Sequence, residues 1–119
     1  MKRLLLIALV FMILIFVSCS SDYRHERYVI KDVSKPDDIV LYASDTTILP
    51  TNVSIHIIGT MNGECTFKID NGQYYHTINF KDTIDYMYKN DWYEPQINVK
   101  YFPSPNITGD SIVIRYKIL

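Results

Sequence analysis

The sequence predicts an all-β protein: a small antiparallel β-sandwich, Ig-like, with seven or eight strands, following an N-terminal signal helix. Three observations lead there. Apolar and polar residues alternate with a period of two through much of the chain after residue 52, as in Val53, Ile55 and Ile57 or Ile112, Ile114, Tyr116 and Ile118, which is the pattern of half-buried strands. Asn-Gly occurs twice, at Asn62-Gly63 and Asn71-Gly72, and this dipeptide readily takes positive φ in tight hairpin turns. Turn-forming residues recur at intervals of about ten residues, the spacing of a two-sheet sandwich. A small barrel or jelly roll is the second choice.

The elements follow in order. Lys2 and Arg3 precede an uncharged apolar run of 14 residues, Leu4 to Val17, closed by Ser18 and Cys19. This is the plan of a secretory signal, and the run is short of the roughly 20 residues that a spanning helix needs. Ser20 to Glu26 is polar and reads as a short tether. Tyr28 to Val33 and Ile39 to Ala43 read as strands, separated by a turn at Lys35-Pro36-Asp37-Asp38, where proline fixes φ and lacks a donor. Pro50-Thr51-Asn52 breaks the chain before the Val53 strand. Asn62-Gly63 should form one hairpin turn and Asn71-Gly72 a second, two-residue one. The strand between them carries Phe67 and Ile69 on one face. Tyr74 to Phe80 should then place Tyr74, His76, Ile78 and Phe80 together. Lys81-Asp82 should turn the chain, and Ile84, Tyr86 and Tyr88 share the next face. Lys89-Asn90-Asp91 reads as a polar turn. Trp92 to Phe102 reads as a strand, with Pro95 marking an edge, a bulge or a strand start because it cannot donate to a ladder. Pro103 to Asn106 is a loop, Gly109-Asp110 a turn, and the alternation from Ile112 onward is a closing strand.

Phe16-Val17-Ser18-Cys19 resembles the lipobox of bacterial lipoproteins, although Leu is usual where Phe16 stands. The resemblance implies that the Cys19 thiol carries diacylglycerol and that the signal is cut before it. Two or three acyl chains hold a domain firmly to a membrane where one holds weakly. The expected division is a signal peptide at 1–18, a lipidated cysteine and tether at 19–26, and a β-sandwich domain at 27–119. From Val53 onward the arrangement also looks like that of small lipoproteins of the Bacteroidota. The features carrying that likeness are Gly59, Asn62-Gly63, Asp91-Trp92-Tyr93, Lys100-Tyr101 before a proline, and the closing strand after Gly109. It implies a β-sandwich in the cell envelope and carries no catalytic residue. Ser20-Ser21 after Cys19 is compatible with delivery of the lipid-anchored domain to the outer membrane rather than the inner. The membrane, reached through the anchor, is the first expected partner.

Composition narrows the function. Without residues 1–18, which hold Lys2 and Arg3, ten Lys and Arg face thirteen Asp and Glu, a side-chain charge of about −3. No basic run occurs, so a nucleic-acid partner is not expected. Cys65 is then the one free thiol and reads as a small buried residue. His25, His56 and His76 lack metal-ligand spacing, though the last two sit in strands and are candidates to meet across a sheet. Asp70-Asn71-Gly72 lacks the spaced acids of a calcium loop. Asp82, Asp85, Asp91 and Glu94 read as solvated turn acids rather than a glycosidase pair. No catalytic residue, metal site or cofactor is implied. Ten tyrosines and Trp92 are the unusual feature. Tyrosine suits strands, yet aromatic faces also stack on sugar rings. Neighbours in a strand point to opposite faces, so one of Trp92 and Tyr93, and one of Tyr74 and Tyr75, should face outward. Trp92, Tyr93 and Tyr75 are the candidate ligand face. The expectation is therefore a non-catalytic binding or structural module, not an enzyme, with a glycan-binding module as the alternative. A glycan or an envelope protein is the candidate partner.

Overall fold

The structure, a computed structural model, describes residues 26–45 and 47–119. The expected signal helix at 1–18, Cys19 and the expected tether as far as residue 25 lie outside the described residues. The described chain is all-β and antiparallel, with seven strands among the described residues: β1 (Glu26–Ile30), β2 (Asp37–Tyr42), β3 (Asn52–Asp70), β4 (Tyr75–Asp91), β5 (Gln96–Pro103), β6 (Thr108–Gly109) and β7 (Ile112–Ile118). The hydrogen-bonded order is β1-β7-β3-β5-β2, with β4 along the other edge of β3.

Two strands are far longer than the rest. β3 pairs with β7 through Val53 to Ile58 and with β5 through Cys65 to Ile69, while β4 pairs with it from Asn52 to Thr60 and from Glu64 to Asp70. The β3–β4 ribbon is folded double. His76 and Tyr88 are twelve residues apart on β4, about 40 Å along a straight strand, yet their rings stack at 5.7 Å. Phe80 and Tyr86 likewise meet edge to face at 5.6 Å. The fold is thus sandwich-like, with β1-β7-β3-β4 as one layer and β2-β5-β3-β4 as the other.

The bend has a defined cause. Register jumps between Thr60 and Glu64, so that 61–63 of β3 oppose Asp82 alone. An excess of residues on one strand bends the pair and increases its twist. Gly63 has φ of 137° and Asp82 of 63°, and the Asp82 carboxylate accepts the Gly63 amide at 3.2 Å. Met61 and Asn62 pair with β6 instead of β4. Positive φ at Gly63 was expected to close a hairpin, and Lys81-Asp82 to turn the chain. Both expectations are corrected, because the same backbone freedom here serves a bulge inside two continuous strands.

Asn71-Gly72 does reverse the chain, but through four residues, since Asp70 pairs with Tyr75. Gly72 has φ of 97°. The Asn71 side chain accepts the amides of Gln73 and Tyr74 at 3.1 and 2.9 Å, and these bonds hold the longer loop. Tyr74 therefore lies in the loop, and both Tyr74 and Tyr75 are exposed. Lys89, Asn90 and Asp91 are the end of β4 rather than a turn. The strand expected from Trp92 begins only at Gln96, after Pro95.

The core reads directly from the alternation. Val53, Ile55, Ile57, Met61, Cys65, Phe67 and Ile69 of β3 are all buried, because the inward parity survives the bulge. Ile112, Ile114, Tyr116 and Ile118 face them from one layer, and Ile39, Leu41, Ile97, Val99 and Tyr101 from the other. Burial pushes the Cys65 thiol up to about 11, so it stays protonated and unreactive at neutral pH. Tyr101 is fully buried against Phe67, with centroids 5.0 Å apart, and donates its hydroxyl to the Val33 carbonyl at 2.6 Å. That bond ties the β1–β2 connection to the core. Tyr101→Phe leaves a buried carbonyl without its donor and should cost about 1–3 kcal/mol. Urea denaturation measures it, and an unchanged midpoint would show that the bond contributes nothing.

Candidate functional site

At one end of the sandwich the tips of both layers come together. The β3–β4 loop closes one layer there, and the end of β4 with the 92–95 connection closes the other. Between them is a cleft of about 980 Å³ lined by Asp70, Asn71, Gly72, Asn90, Asp91, Trp92, Tyr93, Glu94, Pro95 and Gln96, with Asn98 and Val40 from the outer face of β5 and β2.

The 92–95 connection is held at three points. The Trp92 amide donates to the Thr51 carbonyl at 3.2 Å, and Ala43 donates to Pro95 at 2.7 Å. The Trp92 indole donates to the Gln96 carbonyl at 2.9 Å. Trp92 is only 6% exposed, whereas Tyr93 is 66% exposed. One of the pair faces outward as expected, although neither residue lies in a strand. Trp92 packs and forms the wall; it does not present a ring face. Tyr93 is the exposed aromatic.

Tyr75, the third member of the candidate face, does not line the cleft. It stands beside it on the outer face, donating its hydroxyl to the Asn98 side chain at 2.9 Å. Asn98 is fully engaged, since its amide also donates to Asp38 at 2.7 Å and to the Ile39 carbonyl at 3.0 Å. The opposite wall is as well held: one Asp70 oxygen accepts the Gly72 amide at 2.9 Å. The cleft thus offers an aromatic ring, a small apolar floor, three carboxylates (Asp70, Asp91, Glu94) and several amides, on backbone pinned by hydrogen bonds. Carboxylates and amides in such number suit a ligand rich in hydroxyls.

Residues 70, 71, 96 and 98 were not expected here. Asp70 and Asn71 looked like turn chemistry, which they also perform. Gln96 and Asn98 looked like the solvent side of a strand, and no local signal separates those two roles. The two strand histidines do not meet. His56 is on the outer face, 2.6 Å from Asp85, while His76 is on the inner face against Tyr88. Among the described residues, no group of three His, Cys, Asp or Glu is placed to hold a metal ion.

No protein-family model and no curated protein matches the chain. Among solved structures it is similar to the TDP-quinovose 3,4-ketoisomerase WlaRB from Campylobacter jejuni, with 10% identity and a TM-score of 0.33 over 73% of this chain. The match spans 64% of that protein's length. That neighbour is named as an enzyme, and the non-catalytic binding or structural module expected from the sequence is not retained. A likeness this low assigns neither the neighbour's reaction nor its substrate to this chain.

The packing and exposed roles of the 92–93 pair separate in a stability measurement. Trp92→Ala should lose about 3–5 kcal/mol, and Tyr93→Ala less than about 1 kcal/mol. The reverse order in parallel denaturation curves would contradict the assignment.

Proposed function

We propose that the cleft takes a saccharide, and that the domain carrying it is held to the cell envelope by acylated Cys19. The observation that carries the first part is Tyr93, two-thirds exposed on a connection fixed at three points, over a cleft walled by carboxylates and side-chain amides. Sugar rings present an apolar face and a rim of hydroxyls. An aromatic ring meets the face, and carboxylates and amides meet the rim. Tyrosine gives this contact at low entropy cost, since two torsions fix it. Fixing the walls in advance lowers the ordering cost of binding further. Asp70, Asp91 and Glu94 stand in the same cleft, so turnover belongs in the same experiment as binding.

The second part rests on the sequence. The n-region, the apolar run and Phe16-Val17-Ser18-Cys19 support export and lipidation, as in the lipoproteins they resemble. The partner reading is then an envelope glycan within reach of a short tether.

Saccharide capture should be tested on a glycan array and by calorimetry, with product analysis by mass spectrometry. Tyr93→Ala should weaken the best ligand at least tenfold, about 1.4 kcal/mol. Met87→Ala, on the outer face away from the cleft, should not. No captured saccharide, or equal capture by Tyr93→Ala, would remove the saccharide reading. Labelled palmitate tests the anchor separately. Wild type should incorporate it and Cys19→Ala should not, and equal labelling would sink the lipoprotein assignment.

A further inference from the structure

The two long sides of the sandwich are finished differently. On one side β1 and β2 are the outermost strands. There the Tyr28 hydroxyl donates to Asp37 at 2.7 Å, from one layer to the other, and Tyr101 holds the connection between the two strands. That side is closed, and Ile30, Ile39 and Leu41 are at most 2% exposed. On the other side both layers end in β4, which among the described residues pairs with β3 alone. Its inward residues stay open to solvent. His76 is exposed, and Ile78, Phe80 and Tyr86 are only partly buried.

A sheet edge presents unpaired N–H and C=O groups that another strand can complete, and short length or proline guards against this. β4 has 17 residues and no proline. The half-open apolar seam beside it adds a hydrophobic gain to any pairing that covers it.

The sequence of β4 fits its own reverse. Met87 is 46% exposed on the outer face. Antiparallel pairing of two copies about this residue sets Met87 opposite Met87. Asp85 of each copy then stands opposite Lys89 of the other, and half-buried Tyr86 opposite Tyr88. Opposite charges directly across a strand pair stabilise it. Lys89 makes no salt bridge among the described residues, and the Asp85 side chain is 76% exposed. One Asp85 oxygen lies 2.6 Å from His56 of its own chain, which leaves the second oxygen for the lysine.

The other layer accepts the same axis. Tyr88 stacks on His76 and Tyr86 meets Phe80, so Met87 overlies the part of β4 around Ile78. A two-fold axis through Met87, perpendicular to the sheets, sets Ile78 near its own copy and Thr77 opposite Asn79. No like charges face each other in that register. One rotation thus joins both layers at once, in a closed contact that uses the same surface on each copy.

We propose that the β4 edge is the surface on which two copies of this chain pair, antiparallel about Met87, so that each layer continues into its counterpart and the Ile78–Phe80–Tyr86 seam is covered. This stands apart from the saccharide reading of the cleft.

The test is disulfide trapping of the full chain in its native envelope. Met87→Cys puts the two thiols on directly opposite residues, with Cα atoms about 4.5–5.5 Å apart, within disulfide reach. Asp85→Cys or Lys89→Cys alone leaves them four residues out of register, roughly 13 Å along the strand. Mild oxidation should trap Met87→Cys as a dimer roughly tenfold faster than either of these, above the wild-type background. The double variant Asp85→Cys/Lys89→Cys should be trapped as fast as Met87→Cys. In the Met87→Cys background, Asp85→Lys should slow trapping roughly fivefold, and adding Lys89→Asp should restore it. Equal rates for the three single variants would mark random encounter and overturn the pairing. So would no trapped dimer, a charge reversal without effect, or trapping of Met87→Cys to a different envelope protein.

Discussion

The whole structure depends on the bulge where 61–63 of β3 oppose Asp82 of β4. Three residues against one cannot remain flat in a ladder, so the ribbon bends. Gly63 and Asp82 absorb the bend in positive φ, and their amide–carboxylate bond fastens it. Because inward parity is conserved through it, the two halves of the ribbon close on each other with apolar faces together. One long hairpin thereby supplies both layers of the sandwich. β7 and β1 complete one layer, and β5 and β2 the other.

The same bend builds the cleft. It brings the start and the end of β4 to one end of the molecule, so the Asn71-Gly72 loop and the 92–95 connection face each other. Neither wall relies on a long mobile loop. Asn71 holds its loop with two side-chain acceptor bonds, and Trp92 anchors the connection by backbone and indole. Burial of Trp92 is what leaves its neighbour Tyr93 pointing out.

The faces of the strands were legible in the sequence because side chains alternate whatever the sheet does as a whole. Ile55, Phe67, Ile97 and Ile114 could be assigned inward from parity alone. The reach of the strands was not legible. Asn-Gly announces positive φ, which Gly63 uses in a bulge and Gly72 in a four-residue loop, and nothing local separates these from a two-residue turn. The difference lies in the β6 pairing with Met61 and Asn62, more than forty residues away in sequence. The cleft was half legible. Tyr93 stood out as one of two adjacent aromatics, but Asn98 and Gln96 looked like any polar residues on the wet side of a strand.

The folded ribbon is tested most directly by through-space proton contacts in solution. Nuclear Overhauser spectra should contain cross-peaks between the rings of His76 and Tyr88 and between those of Phe80 and Tyr86, together with unbroken β3–β4 backbone contacts on either side of Asp82. Absence of both ring contacts, or backbone contacts closing a two-residue hairpin at Asn62-Gly63, would contradict the doubled ribbon and with it the sandwich and the cleft.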